Sequence, residues 1–178
     1  GPTGTGVLSG REELLTQLPP WQGGGEMISE VTFAKTTYNE LPFKYEAGTP
    51  NIAGNIVLAE ALRYVQRIGL PAIEQHEQKL TQRLYEGLQA LGGINILGTA
   101  EGRGALISIT VPGVHHYDLG TLLDQMGVAV RTGHHCCQPL MQSLGITGTT
   151  RYSLGLNNTE EDVDRALACT RRALDMLR

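Results

Sequence analysis

The 178-residue chain is poor in aromatic side chains, at 5 %, with two Phe and a single Trp. It has only three cysteines, and two of them are neighbours, which excludes a framework of disulfides and leads us to expect free thiols in a reducing, cytoplasmic setting. No apolar run approaches the ~18 residues of a membrane span, and no charged-then-apolar leader opens the chain, so no membrane partner is expected. Basic residues are outnumbered, 14 Lys and Arg against 18 Asp and Glu, for a formal charge of −4. That balance offers no basic face to nucleic acid. Internal repeats and low-complexity tracts are also missing. What is present is a 40 % hydrophobic content, ample for a core, and an excess of glycine, 23 residues in all.

The pattern of apolar residues predicts the elements. GVLSG at 6–10 reads as a short strand, 11–19 as one or two helical turns with Leu14, Leu15 and Leu18 on one face, and 21–28 as a glycine-rich loop. Residues 29–45 read as a strand or hairpin and 45–51 as a turn. Ile52, Ile56, Ala59, Leu62, Val65 and Ile68 recur at helical spacing up to Gly69. Pro71 then suits a helix first turn, and Ile73, Leu80, Leu84, Leu88 and Leu91 carry a second helix to Gly92-Gly93. Beyond it come strands at 94–98 and 104–111, a helix at 115–127, a strand at 128–133, a short helix at 137–145 and a strand at 149–156. A last helix is capped by Thr159, with Asp162 where a capping box prefers Glu or Gln, and has Val163, Leu167, Thr170, Leu174 and Leu177 inward. From residue 69 onward the order α-β-β-α-β-α-β-α predicts an α/β domain with helices covering one small sheet. Residues 1–50 are loop-rich and short of a core of their own.

RTGHHCCQPL, residues 131–140, concentrates the chemistry. Zinc needs converging ligands, typically spaced Cys-x2-4-Cys or His-x3-5-His. His134, His135, Cys136 and Cys137 are consecutive, so their side chains fan apart in strand or helix, and only the distant His115 and His116 could add to them. No metal is expected. A disulfide between adjacent cysteines would need a strained turn. Two possibilities stay open: a pair of buried small hydrophobes, the fate that suits Cys169, or a reactive thiol at a polar strand-to-helix turn beside Arg131. Arg151 suits a bidentate grip on a carboxylate or phosphate, or else a surface ion pair. Gly48-Thr49, in a turn ahead of a helix, is a natural phosphate cradle or an ordinary cap.

GPTGTGVL, PPWQGGGEMI, FKYEAGTPNIAG, HHYDLGTLLDQMGVAVRTGHHCCQPL and TTRYSLGLNNTEEDVD occur in an order that resembles the SUF-type (group II) cysteine desulfurases. These belong, with the selenocysteine lyases, to the class-V, fold-type-I pyridoxal phosphate enzymes. The resemblance runs over all 178 residues, and RTGHHCxxPL is its most specific motif. It implies that Cys136 is the nucleophile that takes sulfur from L-cysteine or L-selenocysteine as a persulfide. It implies that Arg151 holds the substrate carboxylate, with Arg131 and His134 beside the nucleophile. Thr49, with Gly48, would reach the cofactor phosphate of a neighbouring subunit, which implies a homodimer. A sulfur-acceptor protein and iron–sulfur cluster assembly would lie downstream. The cofactor lysine of the family precedes GPTG, and Lys35, Lys44 and Lys79 stand in no such motif. The expectation is therefore the C-terminal small domain of such an enzyme plus the last strands of its large domain, with Gly-Pro as native sequence rather than the scar of a cleaved tag, and inactive by itself. Its parts would be residues 1–50 of the large domain, a connecting helix over 51–68 and the small domain over 69–178. Cys137 departs from the family pattern, which has a small or apolar residue there, and is expected to be inert. A non-catalytic module for sulfur acceptance or protein docking is the alternative from another class.

Overall fold

The computed structural model describes residues 1–98, 100 and 102–178. The chain divides after Ile68 into two units, Gly1–Ile68 and Gly69–Arg178.

The second unit contains nearly all of the core. Helix α3 (Leu70–Leu91) turns Leu80, Leu84 and Leu88 inward, as their four-residue spacing requires. Strands β3 (Asn95–Leu97), β4 (Leu106–Thr110), β5 (Arg131–Gly133) and β6 (Thr149–Ser153) form one antiparallel sheet in the order β3-β4-β6-β5. Helices α4 (His116–Gln125) and α6 (Glu160–Leu177) complete the packing, while the short α5 (Gln138–Ser143) follows β5. Alternation sorts the strands: Ile107, Ile109 and Tyr152 are buried among Leu84, Leu119, Leu123, Val163 and Leu174, against the helices. The intervening residues Ser108 and Arg151 therefore face the other side, where Arg131 is the cross-strand partner of Arg151.

Two details fix the helices. A Cβ at Gly87 would come within 2.2 Å of Leu167, so the glycine lets α3 approach α6 closely. The Thr159 side chain accepts from the Asp162 N–H while Asp162 accepts from the Thr159 N–H, so the shorter Asp closes the capping box as Glu or Gln would. Across the same pair of helices Arg83 forks onto Asp164, at 2.8 Å for both contacts. Buried Tyr152 donates to Thr170 Oγ1 (2.8 Å), which spends its own proton on Ala166 C=O (2.7 Å). Burial pushes the Tyr152 phenol up to about 12.

The first unit is built differently. It holds α1 (Glu12–Gln17), an antiparallel hairpin of β1 (Ile28–Val31) and β2 (Thr36–Tyr38), a single 3-10 turn at Phe43–Tyr45 and α2 (Ile52–Ile68). Met27 is its one buried large hydrophobe. The strand expected at 6–10 does not form: among the described residues no strand of this unit lies alongside it, and Val7 and Leu8 are exposed. An extended segment without a ladder leaves its backbone to solvent and gains nothing as a strand. The apolar stripe of α2 does form a helix, but Ile52, Ile56 and Leu62 are exposed and only Gly54 is buried. Periodicity thus located the helix, not a core within this unit.

Candidate active site

The residues singled out at 131–151 converge on the sheet face that the helices leave open. Arg131 and Arg151 stand directly opposite each other on β5 and β6. Like charges in that position repel, so the pair favours an anion between or above them. The Arg151 Nε is buried and has no partner among the described residues, an unspent donor in the same place.

The chain leaves β5 through a tight reversal. The Cys137 N–H donates to His134 C=O at 2.9 Å, and the two central residues, His135 and Cys136, have φ of 55° and 59°. Positive φ at both central positions is the type I′ geometry, which ordinarily recruits Gly, Asn or Asp. Two side chains brace it. His134 Nδ1 accepts the Cys136 N–H at 3.0 Å, and His135 Nε2 shares a 2.6 Å hydrogen bond with the hydroxyl of Thr149, a buried residue of β6. Cys136 is thereby held at the turn's crest, exposed, with Arg131 Nη2 at 3.5 Å from its Sγ. Cys137 is exposed at the N-cap of α5 and its thiol caps nothing. All three cysteines are free, and Cys169 packs half-buried against the core.

Two cations, Arg131 and Arg151, act on the loop. Burial, and then Arg151 and Arg131, push His135 below the usual histidine range, so its ring is neutral near pH 7. His116, beside Gly148 at the start of α4, is also pushed down, first by burial and then by His115, with Asp118 opposing. Among the described residues no three His, Cys, Asp or Glu are grouped to hold a metal.

His135 was passed over by sequence reasoning in favour of His134, because its partner Thr149 lies 14 positions away. The structure gives His134 a bracing contact to the backbone of Cys136. Gly48 and Thr49 lie in the other unit. Gly48 has φ 81° and its N–H is already donated to Gly25 C=O (2.9 Å), which leaves the exposed Thr49 as the residue of the pair with donors to offer. The lysines do not fit a Schiff-base anchor. Lys44 Nζ donates to Leu15 and Thr16 carbonyls, Lys79 pairs with Glu160, and Lys35 is exposed in the β1–β2 connection. What the chain does offer is two facing arginines and an exposed thiol.

Residues 1–166 match the aminotransferase class-V family, to which the chain belongs. Among proteins it resembles are a probable cysteine desulfurase of Vibrio cholerae, 46% identical over 99% of this chain and 43% of that protein, and a cysteine desulfurase of Serratia proteamaculans, 46% identical over 99% and 44%. The chain thus spans less than half the length of the curated relatives it matches. Its structure superposes on the cysteine desulfurase CsdA of Escherichia coli, in an S-sulfonic acid form, with a TM-score of 0.93 and 40% identity, covering 100% of this chain and 44% of that one. The apo cysteine desulfurase of Thermococcus onnurineus NA1 gives 0.87 and 39%, over 94% and 42%.

Proposed function

We propose that the chain is the sulfur-accepting part of a pyridoxal phosphate-dependent L-cysteine desulfurase. The observation that carries this is the exposed Cys136 thiol set 3.5 Å from Arg131, whose cross-strand partner Arg151 keeps an unpaired buried donor. In this assignment Arg151 grips the substrate carboxylate and so fixes where the substrate sulfur lies. Cys136 Sγ, with Arg131 beside it, attacks that sulfur and keeps it as a persulfide, and alanine is the other product. The His135–Thr149 bond and the His134 brace hold the turn so that Sγ stays presented. Pyridoxal phosphate supplies the electron sink when bound. Thr49 is the residue of this chain suited to its phosphate, across a homodimer interface. The persulfide then passes to a sulfur-acceptor protein serving iron–sulfur assembly in the cytoplasm.

The test uses the cofactor-loaded enzyme that contains this chain, with L-cysteine as substrate. Cys136→Ala is expected to abolish alanine formation. Arg151→Ala is expected to raise KM roughly tenfold or more, the loss of one charge-assisted hydrogen bond. Undiminished turnover in Cys136→Ala would remove the assignment. Relative rates on L-cysteine and L-selenocysteine decide between desulfurase and selenocysteine lyase.

A further inference from the structure

We propose that Cys137 is a second sulfur carrier, which takes the outer sulfur from a persulfide on Cys136 and frees Cys136 for another round. This rests on the function above for the origin of the persulfide. Three observations carry it. First, the Cys137 side chain has no structural use: it is exposed and makes no capping hydrogen bond, while only its backbone N–H closes the turn. Second, divergence of consecutive side chains is a property of strands and helices, and Cys136, at φ 59°, is in neither. Third, Arg131 sits on the sulfur of Cys136, where it stabilises the thiolate that departs in such a transfer.

Adjacency selects between two reactions. Neighbouring Cα atoms are about 3.8 Å apart, below the roughly 4.4–6.8 Å of ordinary disulfides, so closure of a Cys136–Cys137 disulfide with loss of sulfide is disfavoured. The outer sulfur of a persulfide lies about 2 Å beyond Sγ, so attack on it needs no such closure. In the step, the Cys137 thiolate forms a bond to the outer sulfur. The bond from that sulfur to Cys136 Sγ breaks, its electron pair leaves on Cys136 beside Arg131, and the proton given up by Cys137 passes to solvent or to Cys136. One S–S bond replaces another, so no oxidant or reductant is consumed.

Two measurements test this. In the first, the chain alone is loaded with less than one equivalent of inorganic polysulfide, freed of excess, quenched with iodoacetamide at intervals and mapped by mass spectrometry. Sulfane sulfur is expected to migrate from Cys136 to Cys137, and Cys136→Ala is expected to load Cys137 at least tenfold more slowly. Sulfur that stays on Cys136, a Cys136–Cys137 disulfide, or unchanged loading in Cys136→Ala would overturn the proposal. In the second, the cofactor-loaded enzyme is mixed with L-cysteine without acceptor or reductant. Two alanines per site are expected in the burst, and one in Cys137→Ala. One alanine in both would overturn the relay and leave the desulfurase assignment standing. No alanine in either would overturn that assignment, and the first measurement would still decide the transfer.

Discussion

Replacing Thr149 by Val keeps the shape of a buried β6 side chain and deletes only the hydroxyl that meets His135 at 2.6 Å. The consequence can be worked from the loop. His135 and Cys136 both occupy the left-handed region, at about 1–2 kcal/mol each for non-glycine residues. Opposing that are three hydrogen bonds, from Cys137 N–H, Cys136 N–H and the His135 ring, each worth about 0.5–1.5 kcal/mol net. The turn is therefore nearly balanced, and the histidine contact is the only one of the three that ties it to the sheet. Thr149→Val removes that tie and strands a half-buried ring nitrogen, a loss of about 1–2 kcal/mol. Amide hydrogen exchange at Cys136 and Cys137 should accelerate roughly 5–30-fold. Exchange at Ile107 and Ile109 should change only by the drop in global stability. Thr149→Ser should restore protection. His135→Asn, which tolerates left-handed backbone, should loosen the loop without added strain. Unchanged exchange at Cys136 and Cys137 in Thr149→Val would show that the turn does not depend on this bond.

The remaining expectations are these. His135 and His116 both have lowered values in the folded chain, so the unfolded chain binds more protons and their contribution is intact above the unfolded value near 6.5, then lost as pH falls through their folded values. Urea midpoints should fall between pH 7 and 5, and less steeply in His135→Gln; a flat profile would refute this. Gly87→Ala should destabilise the second unit by about 1–3 kcal/mol despite the better helix propensity of alanine, because its Cβ would lie 2.2 Å from Leu167; an increase in thermal midpoint would contradict the close helix approach. Tyr152→Phe should lose about 0.5–1.5 kcal/mol in urea titrations, and no more, because Thr170 keeps its bond to Ala166.

Legibility in the sequence followed the range of the interaction. Leu80, Leu84 and Leu88, or Val163, Thr170 and Leu174, announce helices because a helix repeats locally. Every element from α3 to α6 was therefore readable in order. Strand ends were less so: 128–133 reads as one apolar strand, yet only Arg131–Gly133 pairs, although β6 runs on through Tyr152 and Ser153. The exposed stripe of α2 shows the opposite limit, since periodicity marks a face that wants covering and does not say what covers it. A turn between β5 and α5 was readable, but its type I′ form was not, because His-Cys at its centre lacks the Gly, Asn or Asp that such turns usually recruit.

The site itself was half legible, and the missing half is a matter of register. Cys136 and Arg131 are five positions apart and readable together, but Arg151 joins them only because β6 lies between β4 and β5 with Arg131 facing Arg151. A shift of one residue would send Arg151 among the helices and bring Tyr152 to the open face. The buried Ile107–Tyr152 and Ile109–Thr150 pairs forbid that shift, since the arginine would have to replace them in the core. The apolar packing on one face of the sheet is thus what places two repelling guanidinium groups together on the other, next to a thiol, and makes an anion the natural third member of the group.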